Sequence, residues 1–203
     1  MKKQITTTMF LSLLLVTGLA HADNGKSAWT FQTENVLAQD DAPTFGVYYG
    51  AATLKRKAGG ISGRIMTNVM NAGEPYTVWL VIFNHSRFCA TSPCSEADLP
   101  DFAGGTGDPR IDVAVLNGSG SISASDGNGG GVLNADFTAV AGKVPDGICC
   151  FGSLARRNGQ KAEVHIVIDK HPAPTDPTDE FFWTTHLTTP YIGHRFAVFL
   201  PAD

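Results

Sequence analysis

Four histidines, His165, His171, His186 and His194, fall within the last 40 residues of this 203-residue chain. Imidazole is the commonest protein ligand for zinc and copper, so a metal centre is the first chemistry to test for. The segment 162–168 alternates in polarity, which puts Val164, Ile166 and Ile168 on one strand face and Glu163 with His165 on the other. A carboxylate two residues along the same face can orient and charge an imidazole, as a general base or a metal site requires. The plainer expectation is a surface pair, or a half-buried histidine bonded to backbone. A shared site also meets a distance problem. If the strand runs on, His165 and His171 share a face but stand about 20 Å apart, at about 3.3 Å per residue. Only a sharp turn before Pro172 would bring them together. The expectation is therefore no tight metal site and no cofactor, with a copper or zinc protein built on these histidines as the alternative.

The four cysteines divide into two pairs. Cys89 and Cys94 flank Ser92-Pro93 and are spaced for a small disulfide loop. Cys149 and Cys150 are adjacent, and neighbouring Cα atoms lie about 3.8 Å apart, below the usual disulfide range of about 4.4 to 6.8 Å. That pair has three open states: a strained vicinal bridge, cross-links to the 89/94 loop, or free thiols able to ligate a soft metal.

Other chemistry finds less support. No zincin helix, phosphate loop, dinucleotide fingerprint or nucleophile elbow is present: Gly152-Ser153-Leu154 does not complete the elbow pattern, and the serines of 118–122 lack the strand-to-helix setting of a nucleophile. Asp126 and Asn128 alternate like donors of a calcium loop, but no acid completes a 12-residue loop, so a hairpin turn is expected. Two sequon matches, at Asn84 and Asn117, read as chance in a chain with this short, lysine-led leader. A proline-rich stretch from His171 to Pro190 carries Phe181, Phe182 and Trp183, which would either stack a glycan, small molecule or protein partner or cap the open end of the fold.

The N-terminus sets the compartment. Lys2 and Lys3, an apolar core from Met9 through Val16, and Ala20-His21-Ala22 have the three parts of a secretory signal peptide, so residues 1–22 are expected to be removed and the mature chain to begin at Asp23. Losing two lysines and no acid takes the formal charge from −4 to −6. The absence of any basic run longer than Lys55-Arg56-Lys57, read as a solvated strand end, argues against nucleic acid or anionic lipid as the main partner. No transmembrane anchor is expected after the leader. The destination is periplasmic or secreted, where cysteines oxidise.

The elements that must position these residues are strands. Short Val-, Ile-, Thr- and aromatic-rich runs at 28–35, 46–57, 60–68, 76–84, 111–116, 118–125, 131–140, 162–169 and 196–200 are separated by Gly, Asn, Asp and Pro. Residues 58–60 and 126–130 read as hairpin turns. The run from Tyr76 to Phe83 is apolar at almost every position and should be a central strand covered on both faces. Ser95-Glu96-Ala97-Asp98 has capping-box spacing and should begin one helical turn. The expected fold is an all-β, antiparallel β-sandwich of about eight to nine short strands, a single domain over 23–203.

The block from Gly73 to Asn84, the cysteines with Ser95 to Leu99, and Ala162 to Ile168 together resemble a group of uncharacterised secreted bacterial β-domain proteins, with matching blocks between about Gly46 and Phe199. The Glu163-Val164-His165 strand is also similar, over a short length, to the histidine strand of the CHRD-type β domain. The resemblance implies a β domain and brings no activity with it. Members of the group carry extra cysteines near the last strand that this chain lacks, so it implies no pairing for Cys149 and Cys150. The function expected is that of an exported, soluble binding or structural module without catalysis.

Overall fold

The computed structural model describes residues 29–38, 48–100, 105–128, 130–143, 151–171 and 192–202. Expectations for residues 1–22, Cys149, Cys150, Phe181, Phe182, Trp183 and His186 lie outside the described residues. Ten strand segments are described: β1 (Thr30–Asn35), β2 (Leu37–Ala38), β3 (Gly50–Lys57), β4 (Gly60–Met70), β5 (Pro75–Phe83), β6 (Val113–Ile122), β7 (Ala124–Ser125), β8 (Gly131–Val140), β9 (Glu163–Lys170) and β10 (Ile192–Phe199). They form two antiparallel five-stranded sheets, ordered β1-β3-β4-β8-β7 and β2-β10-β9-β5-β6. This is the all-β sandwich that the alternation predicts.

Two strands belong to both sheets. One buried residue, Val36, separates β1 from β2, and one buried residue, Ser123, separates β6 from β7. At each point the chain leaves one sheet and pairs into the other, as in packed sheets whose corners are made by switching strands. Counted as continuous strands, the ten segments make eight, and the sandwich closes on both sides as a flattened barrel. Within it β5, β6 with β7, and β8 follow one another as neighbours, and β9 returns beside β5, a Greek-key connection.

Local pattern explains each element. In β8, Leu133, Ala135, Phe137 and Ala139 point inward while Asn134, Asp136, Thr138 and Val140 face solvent. Ala58 and Gly59 turn β3 into β4, and Asp126 accepts from the N–H groups of Asn128 and Gly130 to shape the turn into β8. β5 lies between β9 and β6 and is buried on both faces, as its unbroken apolar run requires. Its Tyr76, Val78, Leu80 and Ile82 join the main core; Phe83 packs with Ile111 and Cys94 in a second cluster on the outer side of the sheet. That second cluster is roofed by the 84–112 connection, whose described residues include the short 3-10 turns Ser86–Phe88, Glu96–Asp98 and Pro109–Ile111.

Two expectations are corrected. The break placed between 111–116 and 118–125 is a bulge inside β6, where the register shifts opposite Val78 and Trp79. Gly118 sits there because a Cβ would come within 3.1 Å of the Val78 carbonyl and 3.3 Å of Phe137. The Lys55-Arg56-Lys57 run is not a solvated strand end. Alternation along β3 turns Arg56 inward to full burial, while Lys55 and Lys57 lie over the Trp29 ring at 4.2 and 4.5 Å. Inside, Arg56 donates to the carbonyls of Ala162 (2.5 Å), Gly159 (3.3 Å), Phe199 (3.1 Å) and Leu200 (3.0 Å) and to Gln32 Oε1 (2.5 Å). It thereby joins the sheets at one end, where β1 and β10 pair only through the short β2.

Candidate functional site

β9 carries the polar groups on the outer face of its sheet. Val164, Ile166 and Ile168 are fully buried in the main core, so Glu163, His165, Val167 and Asp169 project the other way. That face is covered too. Glu163 is 2% and Asp169 6% exposed, so the Glu163–His165 pair is not a surface pair. The local sequence gives no sign of this, because the cover includes the 84–112 connection, whose Cys94 is joined to Glu163 across 69 residues of sequence.

At the start of β9, Glu163 Oε1 accepts two hydrogen bonds, from the Cys94 N–H at 2.7 Å and from His165 Nε2 at 2.6 Å. A carboxylate has no proton to give, so the Nε2 nitrogen of His165 is the protonated one. The imidazole packs at a tilt on Phe83, with ring centroids 4.9 Å apart, and its side chain is 14% exposed. Cys89 and Cys94 form the expected disulfide, with Cα atoms 5.4 Å apart. Asp98 holds the loop from its other side: Oδ1 accepts from Ala90 N–H (2.7 Å), and Oδ2 from Ser95 N–H (2.8 Å) and the Ser95 hydroxyl (3.1 Å). This is the expected capping box, on a single 3-10 turn. Burial alone would raise the Asp98 pKa, but these hydrogen bonds and the charge of His165 outweigh it and hold the group below the ordinary carboxylate range.

The far end of β9 carries a second network. His171, 2% exposed, continues the ladder with its N–H on the Pro75 carbonyl, and its Nε2 lies 2.7 Å from Thr77 Oγ1. Thr77 Oγ1 also accepts from Trp79 Nε1–H at 2.9 Å. Thr77 pairs across the sheet with Asp169, whose carboxyl Oδ1 is buried with no hydrogen-bond partner among the described residues. Burial pushes the Asp169 pKa up to about 7. On the inner side of the same end, Lys170 bonds Glu74 at 2.6 Å and Arg195 stacks on Tyr49 at 3.8 Å.

His165 and His171 are therefore placed in two separate networks, at opposite ends of β9, one with Glu163 and the other with Thr77. His194 lies in β10 at the irregularity between Gly193 and Arg195, the former paired with Asp169. Sequence reasoning singled out neither Thr77 nor Asp169. Each is a polar residue within a largely apolar strand that is buried on both faces, and that combination is a signal the sequence does hold. Comparison of the chain with protein-family models, curated proteins and solved structures finds no match.

Proposed function

We propose that the chain is an exported, non-catalytic binding module that holds its ligand at the Thr77–Asp169–His171 end of the outer face of β9. One observation carries this reading: Asp169 Oδ1 is buried and lacks a hydrogen-bond partner among the described residues. A buried acceptor left unmatched costs about 1–3 kcal/mol, a deficit that a ligand bringing an N–H or O–H donor removes. A cationic donor gains most, since it also favours the ionised carboxylate. The residues nearest to acid–base machinery support a non-catalytic role, because Glu163 Oε1 is already shared between His165 and the Cys94 N–H and so serves to hold the disulfide loop.

Two measurements test the proposal. Intact-mass analysis of material recovered outside the cytoplasm should give a chain beginning at Asp23; retention of residues 1–22 there contradicts export by signal cleavage. Thermal melts in methylammonium chloride, against sodium chloride at equal ionic strength, should raise the Tm of the wild type and not of Asp169→Asn. Equal responses from both proteins place recognition elsewhere.

A further inference from the structure

The Cys89–Cys94 loop keeps its shape by more than its disulfide. The Cys89 N–H bonds the Ser86 carbonyl at 3.0 Å, the Cys94 N–H bonds Glu163, and Asp98 gathers the N–H groups of Ala90 and Ser95. Cys94 also packs into the outer apolar cluster with Phe83 and Ile111. None of these contacts needs the S–S bond. The two sulfurs and a carboxylate oxygen of Asp98 lie within 4.8 Å of one another, with Cys94 and Asp98 both buried. Two cysteines with four residues between them have ligand spacing suited to a zinc site, and one oxygen as third ligand leaves a fourth position for water.

We propose that reduction of this disulfide creates a site for a zinc-class divalent ion, held by Cys89 Sγ, Cys94 Sγ and Asp98. A dithiol reductant supplies two electrons and two protons; the S–S bond breaks, both cysteines become thiols, and the reductant is oxidised to its own disulfide. Metal binding then displaces the two thiol protons to solvent, and two thiolates and one carboxylate face the ion. The sulfurs must move apart from bonding distance so that each stands about 2.3 Å from a common ion, and the loop's hydrogen bonds limit how much else must move. The bonds from Ala90 and Ser95 to Asp98 become the outer contacts that fix a metal-bound carboxylate in direction. Oxidation closes the site again, since a disulfide offers no thiolate. Metal binding and the disulfide are thus alternative states of one loop, and the dithiol form is the one the chain passes through before the bridge forms. This site is separate from the Asp169 end and stands whether or not that end binds a ligand.

The test uses the full mature chain carrying Cys149→Ser and Cys150→Ser, which leaves Cys89 and Cys94 as its only cysteines. After anaerobic reduction with a phosphine, Co2+ serves as the spectroscopic probe. One equivalent should bind with thiolate-to-cobalt charge-transfer absorption, Zn2+ should displace it, and the oxidised protein should show none of this. Ser95→Ala, which removes only the hydroxyl bond to Asp98, should weaken binding about tenfold while leaving the β-sheet circular dichroism unchanged. Reduced protein that keeps its β-sheet spectrum and gives no thiolate–cobalt absorption overturns the proposal. So does loss of that spectrum on reduction that metal fails to restore, or metal binding found only when Cys149 and Cys150 are present.

Discussion

The buried guanidinium of Arg56, on β3, lies in the field of the buried carboxylate of Glu163, on β9 of the opposite sheet, which offsets part of the cost of burying the guanidinium. Burial pushes the Arg56 pKa down to about 10, and Glu163 resists that fall, so the group stays charged at neutral pH. The same carboxylate anchors Cys94 and His165. A connection thus runs from Arg56 to the Ala162 carbonyl and, through the adjoining Glu163, to the disulfide loop.

Arg56→Met keeps an apolar stem but leaves the carbonyls of Gly159, Ala162, Phe199 and Leu200 without this donor and removes the buried cation whose field Glu163 shares. Each buried acceptor stranded in this way costs about 1–3 kcal/mol, a loss to be read from urea unfolding. Adding Glu163→Gln should cost less than it does alone, because the uncompensated charge has already been created. Additive losses would show that the two groups do not interact.

Trp79 is 7% exposed and its indole N–H bonds Thr77. Trp79→Ala should cost about 3–5 kcal/mol in chemical denaturation and lower the melting temperature markedly. A loss under about 1 kcal/mol would contradict the burial of β5 on both faces.

Asp169 makes stability depend on pH. Its pKa is about 7 in the folded chain, against about 3.9 for an unfolded aspartate, so the folded state binds the extra proton between those values. Stability should accordingly fall as pH rises from about 4 to about 7, then level off. Asp169→Asn mimics the protonated form. It should flatten that slope and gain stability on the order of 2–4 kcal/mol at pH 8, with little change at pH 4. Unfolding curves across this range that are parallel for both proteins would contradict the buried carboxyl.

The strands were legible because polarity alternates along them: β8 spans the residues 131–140 that its pattern marks, and β5 is central as its apolar run implies. Asn117-Gly118 reads as a break because a bulge and a turn use the same residue types, and only the partner strand separates them. At Arg56 two local signals conflict. Period places the residue inside and charge places it outside, and the four carbonyls that settle the matter lie more than 100 positions away. Glu163 and His165 were legible as neighbours on one face, but the cover over that face was not. The Thr77–His171 contact spans 94 positions, and Asp169 becomes notable only once both faces of its sheet are known to be buried. The Asn84 sequon gains a physical account as well. Its side chain is 1% exposed and bonds Asp112, Ser153 and Ala155, which leaves no room for a glycan.

Native mass spectrometry of untagged protein, purified from its native host, tests the binding account most directly. Wild type and His165→Ala should carry the same non-covalent small-molecule adduct, and Asp169→Asn should lack it, with no stoichiometric metal in the oxidised protein by elemental analysis. An adduct that survives in Asp169→Asn and disappears in His165→Ala, or stoichiometric copper or zinc in the oxidised wild type, would contradict recognition at Asp169 and make the Glu163–His165 end the seat of function.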